Sequence, residues 1–368
     1  MLDAITIRTP GKLMVAGEFA VLERNETLLV MAINKYVETT IRSAQENSVT
    51  FSDFQLEHIG WHEERGEIIF HQSDSRFQFV QKAMEVTFTY IKRHGMTVTP
   101  CALSIKSNLD DEATGAKYGL GSSAAVVTSV VHALLTFFLR EKAKDEVIFK
   151  LASIAHIAVQ GNGSGADIAA STYGGLLRYT SFQADWLLEK LQQYDDVTEL
   201  VDITWDYLTV ERVQFPQNMH IYVGWTGAPA STKNLVTEIS QLKETNRVAY
   251  DSFIHASRCA VQTIVFALEN DDVQQFFTGI RKNRKALATL GRDANVNLET
   301  DKLRFLSDSA ERLSGAGKFS GAGGGDCGLA FLPVHVDGNK LLDTWEEAGI
   351  KALDVQLDTR GSTAYKNE

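Results

Sequence analysis

Three cysteines in 368 residues are too few and too scattered to staple a fold. Cys101, Cys259 and Cys327 are far apart and lack the CxxC and paired Cys/His spacing of a zinc site, which fits reduced thiols and excludes a disulfide framework and a structural zinc site. Each reads as a small buried hydrophobe. Basic charge is also short: 36 Lys and Arg against 47 Asp and Glu leave a net charge of -11. A nucleic-acid surface would need a basic stripe, so no nucleic-acid partner is expected. Any phosphate must be held locally, by helix termini, a few lysines and a divalent cation. Long apolar runs are missing too. The longest, 124–139, is broken by Thr128, Ser129, His132 and Thr136 and falls short of the ~20 residues a membrane span needs. It predicts a buried helix, and no membrane partner is expected. The opening residues MLDAITIRTPGK carry neither a basic stretch leading into an apolar run nor an Arg- and Ser-rich amphipathic pattern, so the expected setting is the cytoplasm. There is no internal repeat and no low-complexity tract.

What is present is an ordinary globular composition, 44% hydrophobic and 23% charged, in a chain longer than one hydrophobic core usually holds. Two domains are expected, 1–215 and 216–368. Three stretches stand out. KYGLGSSAAV, 117–126, joins a polar loop to the long apolar helix. Gly119 and Gly121 give its backbone conformations closed to other residues, and Ser122 and Ser123 follow where the helix must begin. A helix's first turn leaves four N–H groups unpartnered and carries about half a positive charge, so small residues around it make an anion site, with phosphate the expected guest. An ordinary Gly/Ser N-cap would look the same. GKLMVAGEFAVL, 11–22, sets Lys12 and Glu18 alone among apolar residues. A buried charge is costly unless paired or used, so the two either pair with each other, lie on a strand's wet face, or serve a site. KFSGAGGGDCGLAFL, 318–332, places Gly321, Gly323, Gly324, Gly325 and Gly328 within eight residues, a backbone that something must approach closely. A further loop, QGNGSGADIAASTYGG at 160–175, holds Asp167 at the start of a short helix. That carboxylate is either the helix's own N-terminal acid or, beside a phosphate site, an acceptor or orienter of a substrate proton.

Periodicity predicts the scaffold. Val127, Val130, Val131, Leu134, Leu135 and Phe138 recur at core-facing helical spacing. Similar patterns predict helices over 77–93, 147–160, 185–194, 232–243, 249–268, 273–290, 301–313 and 340–347. Strands are predicted at 5–8, 28–32, 35–41, 49–54, 102–106, 176–180, 208–213, 220–225 and 350–357. Pro10-Gly11 is expected to end the first strand in a turn, and 358–368 to fray. The polar hairpin 57–73 carries His58, His62 and His71, read as surface residues because their spacing does not support a metal cluster. Arg281, Lys282, Arg284 and Lys285 read as a solvated charge run, one member of which could reach an anionic substrate.

In order and spacing the three glycine-bearing stretches resemble the three motifs of the GHMP kinases, named for galactokinase, homoserine kinase, mevalonate kinase and phosphomevalonate kinase. The likeness covers essentially the whole chain. It implies an α+β fold of two domains, an N-terminal one like a ribosomal-protein domain and a ferredoxin-like C-terminal one, with the active site between them. It also implies ATP and Mg²⁺. Gly119, Leu120, Gly121, Ser122, Ser123 and Ala124 would wrap the ATP phosphates, with Lys117 nearby and Ser122 near the metal. Lys12 and Asp167 would be catalytic, flanking the acceptor group, with Glu18 in support. Ser164, Gly321, Ala322 and Gly323 would complete the substrate side, 321–325 closing the site from the second domain. SNLDDEATGAKYGLGSSAAV, GWTGAPAST at 224–232 and SGAGGGDCG narrow the expected acceptor to phosphomevalonate, phosphorylated on its phosphate. Mevalonate, a sugar, or a silent binding protein on the same fold are the alternatives. One departure bears on the choice: mevalonate-phosphorylating members carry a glutamate used for magnesium eleven residues before the aspartate, and this chain has His156 there. Neutral imidazole is a poor magnesium ligand, so metal would lean on Ser122 and the nucleotide. GAD at 165–167 also differs from the GD pair of close relatives but keeps the aspartate. For the substrate's own phosphate, Lys12, Lys117, Arg284 and Ser164 stand as alternatives.

Overall fold

In a computed structural model that describes residues 4–111, 114–194, 196–228 and 232–365, the chain builds two sheets. The first part contributes β1 (Ala4–Ala16), β2 (Thr27–Ser43), β3 (Ser48–Phe51), β4 (Leu56–Glu64), β5 (Glu67–Phe70), helix α1 (Gln78–Arg93), β6 (Cys101–Ser107), α2 (Ser122–Leu139), α3 (Asp145–Gln160), α4 (Ala166–Tyr173), β7 (Leu176–Thr180), α5 (Ala184–Gln193), α6 (Val197–Asp202) and β8 (Thr209–Val213). The second contributes β9 (Met219–Trp225), α7 (Thr232–Thr245), α8 (Arg247–Glu269), α9 (Val273–Asp293), α10 (Asp301–Arg312), β10 (Ala316–Phe319), β11 (Cys327–Pro333), α11 (Asn339–Glu347) and β12 (Lys351–Leu353). A last strand, β13 (Thr363–Tyr365), returns to the first sheet.

Among the described residues the first sheet runs β13-β1-β2-β6-β3-β4-β5, with β7 on β2 and β8 on β7; only β3 and β6 are parallel. The predicted strands 28–32 and 35–41 are one. β2 spans both because its first half pairs with β7 and its second half with β6. β1 likewise runs through Pro10-Gly11 instead of turning there. A bulge between the two residues shifts the register, and a bulge is one of the few places a strand tolerates proline. Helices α2 and α4 pack directly on β1 and β2, with α1 and α3 beside α2. Although α2 is apolar enough by composition to cross a bilayer, 67% of it is buried in this packing. The predicted surface histidines are exposed on the β4–β5 hairpin and just beyond it, and His62 and His71 approach to 3.3 Å.

The second sheet runs β10-β11-β9-β12, antiparallel throughout. With helices between β9 and β10 and between β11 and β12, this is the ferredoxin-like β-α-β-β-α-β arrangement. Every residue of β11 is buried, which fits its unbroken apolar run CGLAFLP. The predicted strand 350–357 shortens to β12, and of the tail 358–368 expected to fray, residues 358–365 are ordered while 366–368 lie outside the described residues. Ser362 Oγ lies 2.8 Å from Thr9 Oγ1 and 2.7 Å from His132 Nδ1, while the Asp358 carboxylate accepts from Tyr36 and from the N–H groups of Arg360 and Gly361. Local sequence does not reveal this, because these side-chain partners, Thr9, Tyr36 and His132, lie far upstream in the chain.

Candidate active site

Lys12 sits on β1 where the strand meets the central loop. Its N–H donates to the Leu120 carbonyl at 2.8 Å and its ammonium to the Gly119 carbonyl at 3.0 Å. The Leu120 side chain is buried in the core, so this residue serves the loop only through its backbone. Gly119 and Gly121 both take φ 81°, in the left-handed region, and Gly121 caps α2 with no side-chain capping bond. The amides of Ser122, Ser123 and Ala124 therefore open the helix without a side-chain partner at the cap, as an anion requires. The half-buried Ser122 hydroxyl makes no hydrogen bond among the described residues. Ser123 Oγ lies 3.2 Å from His156 Nε2. Lys117, exposed, pairs through its backbone with Asp110.

The third glycine stretch approaches from the other domain. Ser320 Oγ accepts from the Met14 N–H at 2.8 Å, and the Cys327 thiol donates to the Tyr118 carbonyl at 3.1 Å. Asp326 packs so closely on Gly119 that a Cβ there would stand 2.5 Å from its carboxylate oxygen. The three distant stretches thus meet, β1 and the central loop from one domain and 320–327 from the other. The glycines of the last stretch divide in purpose. A Cβ at Gly321, which is half-buried beside Ala322, would meet nothing within 4 Å, whereas one at Gly323 would strike the Leu298 carbonyl at 2.3 Å. Part of the expected close approach is therefore made by the protein itself.

Asp167 stands in the first turn of α4, half-buried, its Oδ1 accepting from the Ile168 N–H at 3.0 Å. One turn further on, Ser171 donates to the Pro10 carbonyl at 2.7 Å, which ties the helix to the strand that carries Lys12. Among the described residues Lys12 and Asp167 make no ion pair with each other or with any other group. His156, toward the C-terminal end of α3, is 2% exposed and stacks on Phe79 with centroids 4.9 Å apart. Burial pushes its pKa down, against the opposing pull of the Asp167 charge.

Several expected roles change. Glu18 does not reach a substrate: it is 1% exposed and bonded to Lys318, which is itself fully buried and also donates to the Phe319 carbonyl. Neither does it pair with Lys12. Burial lowers the Lys318 pKa and the Glu18 carboxylate opposes that shift. Ser164 is buried and spends its hydroxyl on the Ala166 N–H and its carbonyl on Tyr179, so it shapes the entry to α4. Arg284 is claimed by Glu299, Asp308 and Glu311 and is not a free cation for a substrate. Residues 229–231 of the GWTGAPAST stretch lie outside the described residues. The central loop is also latched from the far side by Lys351, which bonds Asp111 and Tyr118 and lies over the Tyr118 and Trp225 rings. The Lys351 ammonium, with the Tyr118 hydroxyl, holds the Asp111 carboxyl well below the usual carboxylate range. Lys318, Asp326 and Lys351, which tie the segments around the loop together, were not singled out in the sequence. Lys318 alone carried a local signal, a lone charge in an apolar strand like that of Lys12.

A family model described as the GHMP kinases N terminal domain matches residues 78–175. Over 364 residues the chain is 33% identical to a phosphomevalonate kinase of Streptomyces sp. (strain CL190), covering 95% of this chain and 96% of the relative. Among solved structures, the Lin0012 protein from Listeria innocua superposes with a TM-score of 0.92 at 35% identity, over 99% of this chain and all of the other. A Streptococcus pneumoniae phosphomevalonate kinase in complex with phosphomevalonate and AMPPNP superposes with a TM-score of 0.81 at 25% identity, over 96% of this chain and 99% of that one.

Proposed function

The chain belongs to the GHMP kinase family, and we propose that it transfers the γ-phosphoryl group of ATP to the phosphate of 5-phosphomevalonate, giving 5-diphosphomevalonate and ADP in the mevalonate route to isoprenoids. The observation that carries this reading is the convergence of Lys12, the uncapped start of α2 and the 320–327 loop on one anion cradle, in a chain 33% identical to a phosphomevalonate kinase over nearly its whole length. An acceptor phosphate oxygen attacks the γ-phosphorus, the bond to the β,γ-bridging oxygen breaks, and its electron pair leaves with ADP. A phosphate monoester has its second pKa near 6, so the attacking oxygen is largely ionised at pH 7 and needs no strong base.

In this reading the amides of Gly119–Ala124 hold the nucleotide phosphates. Lys12 offsets the negative charge that gathers between donor and acceptor, and Asp167 orients the acceptor; both act by positioning and electrostatics. Mg²⁺ would be held by nucleotide oxygens and the Ser122 hydroxyl, which makes no hydrogen bond among the described residues and offers the oxygen this ion prefers. Bound there, it would neutralise phosphate charge. The division into a nucleotide-binding domain over 1–215 and a closing domain over 216–368 belongs to the same proposal. So does a cytoplasmic setting, supported by three unpaired cysteines. A coupled assay for ADP with mevalonate, phosphomevalonate, homoserine and galactose tests it. Turnover is expected with phosphomevalonate; turnover of mevalonate alone would overturn the acceptor, and ADP from none would overturn the reaction.

A further inference from the structure

We propose that His156 is a positioning residue: its Nε2–H donates to Ser123 Oγ and so turns the Ser123 hydroxyl proton toward the nucleotide phosphates. The inference rests on the reading of the 119–124 loop as the nucleotide cradle and assigns a part to a residue outside that loop. His156 Nε2 is 3.2 Å from Ser123 Oγ, within hydrogen-bond reach. The ring cannot turn freely, because it is 2% exposed and lies face to face with Phe79, 26° between planes. Burial keeps the imidazole neutral, so it carries one N–H and one lone pair, and two tautomers are available.

The tautomers have opposite consequences for the loop. With the proton on Nδ1, Nε2 accepts the Ser123 hydroxyl proton, and Ser123 offers a phosphate oxygen only lone pairs. With the proton on Nε2, Ser123 Oγ accepts, and its own O–H is left to donate. Only the second arrangement agrees with a site whose other groups are N–H donors and a lysine. Asp167 acts on the same imidazole through its charge, so one buried ring connects the nucleotide loop with the acceptor side of the site.

Nitrogen NMR of the full chain with isotope-labelled histidine, in the presence of AMPPNP, reads the tautomer directly. The expected result is a protonated Nε2 and an unprotonated Nδ1 at His156; the reverse overturns the proposal. His156→Phe keeps a ring against Phe79 but removes the donor. It is expected to lower kcat about tenfold, the scale of one hydrogen bond at a charged site, with Ser123→Ala costing a similar factor and the double variant little more. His156→Gln, whose amide N–H can reach Ser123, should recover most of that loss. Ser123→Ala costing its full factor in the His156→Phe background would overturn the proposal. If His156→Phe does not fold, the tautomer in the parent chain decides alone. Failure of the parent to turn over phosphomevalonate would refute the acceptor assignment, while the spectrum with nucleotide would still decide this one.

Discussion

A Cβ on Gly121 would lie 3.0 Å from Lys12 Cγ and 3.2 Å from its Cε, on backbone at φ 81°. Gly121→Val therefore does more than crowd a phosphate. It strains the start of α2 and drives Lys12 from the Gly119 carbonyl, so ATP affinity and kcat should fall together. Calorimetry with ATP checks this; a variant that binds like the parent would remove the loop from the nucleotide site. Lys12 and Asp167 should separate kinetically, because they share no ion pair. Asp167→Asn is expected to lower kcat by about 10²–10⁴-fold with KM for ATP nearly unchanged. Lys12→Met should lower kcat on a similar scale and also raise KM for ATP, since its ammonium holds the loop at Gly119. Equal KM values for ATP in the two variants would count against that tether.

Between elements, the buried Glu18–Lys318 pair joins the turn after β1 to β10. Among the described residues Glu18 Oε2 has no partner of its own, so the carboxylate depends on Lys318. Removing one member strands a buried charge. Lys318→Met should cost about 3–5 kcal/mol of stability, and adding Glu18→Leu should restore much of it; denaturant titration of the three proteins tests both. A double variant no better than the single would show that the pair is not the source of the cost. The sequence made the helices and most strands legible, because apolar spacing at 127–138 or 77–93 is a local property. It also made Lys12 and the glycine stretches legible as anomalies. What it concealed depends on contacts between segments far apart in the chain. β2 reads as two strands because its two partners are different, and Asp326 is one acid among many until the fold sets it against Gly119. Glu18 was picked out correctly as unusual, but its partner lies 300 residues away.

At the scale of the whole molecule, the returning tail closes the first domain. His132 is held between α2 and Ser362, and burial, with a lesser contribution from Lys142, pushes its pKa down to about 4. The folded pKa lies below the unfolded value of about 6.5, so the unfolded chain binds more protons between those values. The stabilisation is complete above pH 6.5 and declines toward pH 4, by about 3 kcal/mol at 1.36 kcal/mol per pKa unit. Melting temperature should fall across that window, and His132→Asn should flatten the slope; an unchanged slope would mean that other groups carry it. Deleting 355–368 should destabilise the first sheet as well, since Thr9 and His132 lose Ser362 and β1 loses its edge partner. The same closure has a consequence for synthesis. A ribosome makes β1 long before β13, with all the strands of the second sheet in between. Throughout the synthesis of the second sheet one edge of β1 is therefore unpaired, and a chain stalled there presents that edge to its neighbours. For this protein, aggregation of nascent chains should depend less on how fast the second sheet folds than on how soon β13 emerges to cover β1.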